Sequence, residues 1–250
     1  MEGFDPKTSF GYEVSKRYDS EPRGDEADTV AYLAAEADGG AALEFAIGSG
    51  RIAVPLAATG VRVDGVELST DMVDRLREKP GGGELDVTIG DMSCDGTGRR
   101  YRLVYLVYNS ITNLLTQDGQ VRCFENVAGH LRSDGAFVLE CGVPGPAARP
   151  QYVDAERVTA DQVVLDVCRY DPVTQLLDEN HVSIGVDGIV LSPIGQRLVY
   201  PSELDLMARI AGLRLRDRWG GWNGEPFTAD SPRHVSVYVP ADSLDRTAAG

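Results

Sequence analysis

The sequence predicts an α/β fold in which helices cover both faces of a mainly parallel β-sheet, and three observations support this prediction. Short apolar runs of the kind found in buried parallel strands recur between about residues 43 and 140. Segments with helical periodicity separate these runs, and glycines mark several of the boundaries. A chain of 250 residues is long enough for one such domain with a small insertion.

The elements of the main sheet follow in chain order. The first predicted helix places Val30, Leu33 and Ala37 on one face and ends at a pair of glycines. Ser69 suits the N-cap of a later helix. The predicted strands are residues 43–47, 61–67, 86–89, 103–107, 136–140, 214–219 and 234–239. The predicted helices are residues 25–37, 51–58, a helix that starts after 69, 117–131 and 201–212.

The composition changes at residues 144–150, where prolines and glycines interrupt the pattern. Beyond this point short strands alternate with turns, at residues 163–167, 181–184 and 186–190, as in a small antiparallel sheet. We therefore predict four parts of the chain. These are an N-terminal arm and helix (1–40), an α/β core (41–148), an antiparallel cap (149–200) and the C-terminal part of the core (201–240).

A glycine turn after the first strand predicts the site of a ligand. Gly48 and Gly50 let the backbone approach a bound molecule closely, because neither carries a Cβ. The following helix offers free N–H groups and the positive end of its dipole. Glu67 ends the second strand about nineteen residues later, where an acid would meet the hydroxyls of a ribose. The core is therefore predicted to bind a nucleoside-bearing cofactor.

Two such cofactors fit the turn. The spacing of Gly48, Gly50 and Ala53 matches a G-x-G-x-x-A dinucleotide motif, which predicts a nicotinamide cofactor and an NAD(P)-dependent dehydrogenase. That motif requires neither Glu44 inside the first strand nor Asp91 after the third. These two acids therefore favour a different cofactor.

Glu44 inside the first strand, together with the residues that follow the later strands (Glu67, Asp91 and Tyr108-Asn109), resembles the class I S-adenosylmethionine-dependent methyltransferases. The resemblance covers about residues 12–143 and returns around 207–213. It is greatest for small actinobacterial enzymes of natural-product pathways, which include sugar N-methyltransferases and the peptide α-N-methyltransferase of cypemycin biosynthesis. It implies a Rossmann-like seven-stranded class I methyltransferase sheet with a small antiparallel β cap inserted after strand five.

The resemblance implies S-adenosyl-L-methionine as the cofactor and a role for each residue of its site. The acid and the glycine turn of strand one hold the methionine end, Glu67 takes both ribose hydroxyls, and Asp91 accepts from the adenine amino group. The chain departs from the family at Ala46 and Arg102, where glycine and aspartate are usual. The implied cofactor site consists of Tyr18, Glu44, Ala46, Gly48, Gly50, Glu67, Leu68, Met72, Asp91, Met92, Tyr108 and Asn109. The predicted acceptor residues are Tyr12, Asn113, Trp219 and Trp222.

Composition excludes several other classes of function. A net charge of −15 makes nucleic acid and anionic membranes poor partners. The four cysteines form no C-x-x-C motif, so neither a metal site nor a disulfide framework is predicted. The sequence shows no signal peptide, and no apolar run approaches about 18 residues, so we predict a cytoplasmic protein that does not span a membrane.

The predicted function is methyl transfer to a nitrogen or an oxygen of a small molecule in specialised metabolism. The three histidines are scattered and form no triad, so catalysis is expected to rest on proximity and orientation. A neutral amine or a carboxylate would need no general base, whereas an alcohol or phenol would need one. Two alternatives are left open: the dehydrogenase, and a methyltransferase-fold protein that binds cofactor without transfer. A homodimer is also left open.

Overall fold

The computed structural model describes residues 1, 4, 9–19, 23–145 and 150–243. Its helices are α1 (Tyr12–Tyr18), α2 (Glu26–Ala37), α3 (Ala53–Ala58), α4 (Thr70–Arg77), α5 (Gln117–His130) and α6 (Pro201–Ile210). Its strands are β1 (Ala42–Phe45), β2 (Val63–Glu67), β3 (Asp86–Ile89), β4 (Tyr101–Leu106), β5 (Leu131–Gly142), β6 (Gln151–Val158), β7 (Gln162–Asp171), β8 (Leu176–Gly185), β9 (Gly188–Arg197), β10 (Leu213–Trp219) and β11 (Arg233–Pro240). Within the described ranges, no helix is both long and apolar enough to cross a membrane.

Seven strands form the main sheet in the order β10-β11-β5-β4-β1-β2-β3. The five strands from β5 to β3 run parallel to one another, whereas β11 is antiparallel to both of its neighbours. This topology confirms the predicted fold class. The chain winds outward in both directions from β1 and β4, and open α/β sheets bind ligands at the carboxyl ends of such strands.

Side chains alternate along the central strands and so build a separate core on each face of the sheet. On one face Leu43, Phe45 and Val104 pack with residues of α5 and α6. On the other face Ala42 and Leu103 pack with residues of α2 and α3. Burial on both faces explains why these strands read as nearly continuous apolar runs.

Strands β6, β7, β8 and β9 form a separate antiparallel sheet, which we name the cap. As predicted, it is inserted after strand five of the main sheet. Its β9 end is tied to the body of the protein, because Thr112 Oγ1 donates to Gln196 Oε1 at 3.0 Å and Arg197 pairs with Glu203 at 2.7 Å. The four-part division of the chain stays a prediction.

Several elements differ from the prediction: the cap strands β7, β8 and β9 are longer than predicted, and α1, β5 and β6 differ as follows. α1 lies within the predicted N-terminal arm, of which residues 2–3, 5–8 and 20–22 lie outside the described residues. β5 begins at Leu131 rather than at residue 136. The prediction missed this start because residues 132–134 are exposed and polar and do not show the apolar pattern of a buried strand. β6 is absent from the prediction, because most of its side chains are exposed and a bulge between Ala155 and Arg157 breaks the alternation.

Candidate cofactor site

A cavity of about 290 Å³ opens at the carboxyl ends of the parallel strands. Its walls come from the turns after β1, β2, β3 and β4, from the start of α5, and from the N-terminal segment. The predicted cofactor residues that line it are Tyr18, Ala46, Gly48, Glu67, Leu68, Met72, Asp91 and Met92. Asn113, predicted as an acceptor residue, lines it as well. The turns that follow four different strands therefore meet at one cavity.

Glu67 is held in a fixed orientation at the end of β2. Its Oε2 accepts the backbone N–H of Gly48 and its Oε1 accepts the backbone N–H of Ser69, each at 2.8 Å. The side chain is 7% exposed, and this burial raises its pKa despite the N–H donors. The carboxyl group thus connects the first glycine turn to the second strand while lining the cavity.

Asp91 follows β3 and shapes the next turn. Its Oδ1 accepts the backbone N–H of Ser93 at 2.8 Å, and its own N–H donates to Asp95 Oδ2 at 2.8 Å. Met92 is 8% exposed and belongs to the core beside the cavity. Asn126 of α5 donates to the Met92 carbonyl at 2.9 Å, so this turn is anchored to a helix.

The glycine turn itself has a left-handed backbone. Ala46, Gly48 and Gly50 have φ values of 53°, 58° and 73°. Glycine adopts this region without the steric cost that a Cβ imposes, which explains why glycine is usual at the position of Ala46. A Cβ at Gly48 would lie 3.3 Å from Met72 Cε, so a larger residue there would press on the cavity wall.

Glu44 and Gly50 do not line the cavity and instead support the turn. Glu44 is 3% exposed, and its Oε2 accepts from Tyr105 Oη at 2.9 Å. Burial raises the pKa of Glu44 to about 8. A Cβ at Gly50 would lie 2.9 Å from Val54 Cγ2, so glycine is needed for close packing against the following helix.

Tyr108 and Asn109 also lie outside the cavity wall and join the ends of β4 and β5. Both are in the left-handed region, with φ values of 55° and 61°. The Tyr108 N–H donates to Glu140 Oε2 at 2.9 Å, and Asn109 Oδ1 accepts the Gly142 N–H. Strained backbone of this kind is concentrated at functional sites, where surrounding contacts maintain it.

The methyltransferase domain family matches residues 42–135 of the chain, from β1 into β5. The chain is also similar to a solved structure, the CcbJ methyltransferase from Streptomyces caelestis, at 34% identity and a TM-score of 0.90, covering 95% of this chain and 100% of that chain. The chain belongs to the class I S-adenosylmethionine-dependent methyltransferases.

Two further relatives are methyltransferases of the genus Streptomyces. The cypemycin N-terminal methyltransferase of a Streptomyces species is 28% identical over 207 residues, which is 80% of this chain and 83% of the relative. The dTDP-3-amino-3,6-dideoxy-alpha-D-glucopyranose N,N-dimethyltransferase of Streptomyces fradiae is 29% identical over 163 residues, which is 62% of this chain and 63% of the relative.

The N-terminal segment forms a lid on the cavity of this methyltransferase. Phe10 and Tyr18 line the cavity, and Ser69 Oγ donates to the Phe10 carbonyl at 2.6 Å. At the other end of α1, Asp19 accepts from Ser49 Oγ at 2.8 Å. Burial raises the pKa of Tyr18. We name residues 9–19 the lid.

The structure does not bring Trp219, Trp222 or Tyr12 to the cavity, and their role at the acceptor stays a prediction. Trp222 is 4% exposed, and its ring lies 5.6 Å from that of Tyr32 in the core beneath α2. The physical reason is that the loop after β10 is fixed to α2, because Asn223 Nδ2 donates to Asp28 Oδ2 at 2.9 Å. Trp219 packs against the same core. Tyr12 lies on the exposed side of α1.

Sequence reasoning missed the wall that follows β4. This wall consists of Leu114, Leu115, Thr116, Gly119 and Arg122. A signal was available, because these residues follow the same polar stretch as Asn113. Thr116 accepts the Gly119 N–H at 3.0 Å and caps α5, which turns the start of that helix toward the cavity.

None of the three histidines lines the cavity. His130 Nδ1 lies 2.8 Å from the Asn126 carbonyl, and His181 Nδ1 lies 2.6 Å from Asp166 Oδ1 in the cap. His234 is fully buried in β11, and burial lowers its pKa to about 4. The structure therefore places all three histidines outside the cavity.

Proposed function

We propose that this methyltransferase transfers a methyl group to an amine nitrogen of a small molecule in specialised metabolism. The observation that carries the proposal is that none of the described residues lining the cavity is a histidine, lysine or cysteine. A neutral amine attacks with its own lone pair, whereas an alcohol or phenol would first have to lose a proton to a base. The names of two relatives, one specifying an N-terminus and the other an amino sugar, support a nitrogen acceptor.

The cavity residues fit S-adenosylmethionine. We assign Glu67 to the ribose hydroxyls, because the N–H groups of Gly48 and Ser69 fix its carboxyl group at the cavity wall. We assign Asp91 and the adjacent backbone N–H to the adenine edge. The apolar flanks of the adenine are then Leu68, Met72 and Met92, all of which line the cavity.

The glycine turn and the lid are proposed to hold the methionine end. Ala46 and Gly48 line the cavity directly, and Tyr18 closes it from the lid. Glu44 supports this turn from below rather than by direct contact, because its carboxyl group is buried against Tyr105. Its assignment to the cofactor is therefore indirect.

When bound, S-adenosylmethionine supplies a methyl group that is activated by the sulfonium charge. The chain contributes position and exclusion of water, which are the main sources of catalysis available without a general base. The lid covers the cavity through Phe10 and Tyr18. Asn113 offers an amide to orient the amine so that its lone pair points at the methyl group. The proton that the methylated amine later releases passes to solvent.

Further proposals concern compartment and partners. We propose a cytoplasmic protein, because Cys94, Cys123, Cys141 and Cys168 are all free thiols, as is usual in a reducing compartment. We propose that neither nucleic acid nor membrane is the partner, since a net charge of −15 repels both.

The proposed acceptor is tested with matched pairs of small molecules. The purified protein is incubated with S-adenosylmethionine and an amino sugar, the corresponding hydroxy sugar, a short peptide with a free N-terminus, and the same peptide acetylated. Mass spectrometry follows the methylated product and S-adenosylhomocysteine together. We expect transfer to a free amine and not to its matched partner. Transfer to the hydroxy sugar alone contradicts the nitrogen acceptor.

A further inference from the structure

One side of the cap carries three metal-ligating side chains that the proposed methyl transfer does not use. Glu156, Asp166 and His181 each offer one ligand atom, and these atoms all lie within 4.8 Å of one another. None of the three residues lines the cavity. They come from β6, β7 and β8, which are neighbouring strands of one sheet. We name these three residues the cap cluster.

Strand pairing places the cap cluster on one face of the sheet. Asp166 is the direct partner of His181 in β8 and of Asp154 in β6, and directly paired side chains point to the same face. Glu156 lies two residues after Asp154, so the alternation of the strand directs it to that face as well. A bulge in β6 leaves Glu156 without a direct partner in β7. Bulges of this kind re-aim side chains and are frequent beside functional sites.

The imidazole of His181 lies between carboxylate groups. Its Nδ1 lies 2.6 Å from Asp166 Oδ1, and its Nε2 lies 4.0 Å from Glu179 Oε1. A histidine that binds a metal through one nitrogen usually directs its other N–H at a carboxylate, which fixes the ring. With a metal ion at Nδ1, Glu179 stands where that carboxylate is expected. The side chains of His181 and Asp166 are 43% and 26% exposed, so an ion can reach them from solvent.

The donor set suits a divalent transition metal such as zinc. Zinc binds histidine nitrogen and carboxylate oxygen at about 2.0–2.2 Å, so two of its tetrahedral ligands lie roughly 3.3 Å apart. The separation of 2.6 Å between His181 Nδ1 and Asp166 Oδ1 would widen by roughly 0.7 Å, which partly exposed side chains permit. Calcium and magnesium prefer oxygen ligands, so the imidazole disfavours them.

We propose that the cap cluster binds one divalent transition metal ion, which fastens the edge strand β6 to β7 and β8. The ion takes the place of the proton between His181 and Asp166, and Glu156 supplies the third ligand. β6 has a neighbouring strand on one side only, and most of its side chains are exposed. It therefore gains the most from a bond to the rest of the sheet. The sequence conceals this site, because its ligands are far apart in the chain.

Zinc and calcium titrations into the full chain test the site. After treatment with EDTA and buffer exchange, calorimetry measures the binding of ZnCl₂ and of CaCl₂ to the unsubstituted protein, to His181→Ala and to Glu156→Gln. We expect one zinc ion per chain with a Kd below about 100 µM, and no calcium binding in that range. Each variant loses a ligand, so zinc binding should weaken at least about tenfold.

Two further variants are matched controls. Cys94→Ser removes an exposed thiol, which is itself a zinc ligand, and Asp187→Asn removes an exposed acid in the turn between β8 and β9. Both should bind zinc as the unsubstituted protein does. The melting temperature without metal verifies the fold of every variant.

Four results would overturn the site. These are the absence of zinc binding, calcium binding of equal strength, unweakened zinc binding in either His181→Ala or Glu156→Gln, and loss of zinc binding in Cys94→Ser. Hydrogen exchange tests the fastening separately, because zinc should slow the exchange of β6 amides in the unsubstituted protein and not in His181→Ala. Equal exchange with and without bound zinc would overturn that role. Neither measurement depends on the methyl acceptor.

Discussion

The contacts of Asp19 predict how fast the cofactor enters and leaves the cavity. Ser49 Oγ donates to Asp19 Oδ1 at 2.8 Å, and Lys79 Nζ lies 2.8 Å from Asp19 Oδ2. These contacts fix the end of the lid to the glycine turn and to the residues after α4. Phe10 and Tyr18 of the same lid line the cavity. Cofactor exchange therefore requires these contacts to break.

The substitution Asp19→Ala removes the hydrogen bond from Ser49 and the ion pairs with Lys79 and Arg75. The hydrogen bond to the charged carboxylate contributes about 1.5–3 kcal/mol and the partly exposed ion pairs add little, so the lid should open roughly 10- to 150-fold more often. The contacts join parts of the chain and not the cofactor, so they oppose opening equally before and after binding. We therefore expect the association and dissociation rates of S-adenosylhomocysteine to rise by a similar factor, while Kd changes by less than about threefold.

Surface plasmon resonance with immobilised protein measures both rates. Asp134→Ala is the matched control, because Asp134 is an exposed acid that pairs with Arg132 at 2.9 Å without contacting the lid. Rates for Asp19→Ala that equal those of Asp134→Ala would refute the role of the lid. A rise in Kd that equals the rise in dissociation rate would also refute it, since Asp19 would then stabilise the bound state alone.

Three further predictions concern the acids and the histidines. Glu67→Ala should weaken S-adenosylhomocysteine binding more than Asp91→Ala, because it removes an acceptor for two hydroxyls rather than one amino group, at about 1.5–3 kcal/mol each; near-zero effects of both in calorimetry would contradict their roles. Burial raises the pKa of Glu44 from 4.5 to about 8, so its contribution to stability is present below pH 4.5 and is lost as the pH rises through about 8. Glu44→Gln should therefore flatten the fall in melting temperature across that window, and an unchanged slope would count against the buried proton. His181→Ala and His234→Ala should each keep turnover within about tenfold, since loss of a general base costs about 10²–10⁴-fold; a hundredfold loss in a folded variant would indicate an oxygen acceptor.

The positions at the strand ends could be predicted from the sequence because one physical rule fixes them. Glu67 and Asp91 each follow a short apolar strand, and parallel strands with crossover helices must end at one edge of the sheet. The structure accordingly brings both residues to one cavity. The cap could be predicted in outline because its strands alternate between turns, but its exposed first strand carries no burial pattern from which to recognise it.

The path of the long loops could not be predicted, because it depends on contacts between residues far apart in the sequence. Trp222 lies in a glycine-rich loop and is therefore expected to line a pocket. It packs on Tyr32 instead, because a hydrogen bond between Asn223 and Asp28 ties that loop to α2. The direction in which a single side chain points could not be predicted from the sequence either, as Glu44 shows. Its position in β1 is the one expected, but its carboxyl group is buried against Tyr105 instead of lining the cavity.

Calorimetric titration of S-adenosylhomocysteine and of NAD into the purified protein tests most directly which cofactor the cavity binds. We expect one molecule of S-adenosylhomocysteine to bind each chain and NAD to give no binding heat. At about 100 times Kd the ligand should add about 2.7 kcal/mol to the free energy of unfolding, which raises Tm by roughly 5–10 °C for a chain of this size. Binding and stabilisation by NAD, with neither from S-adenosylhomocysteine, would contradict the assignment of the cavity.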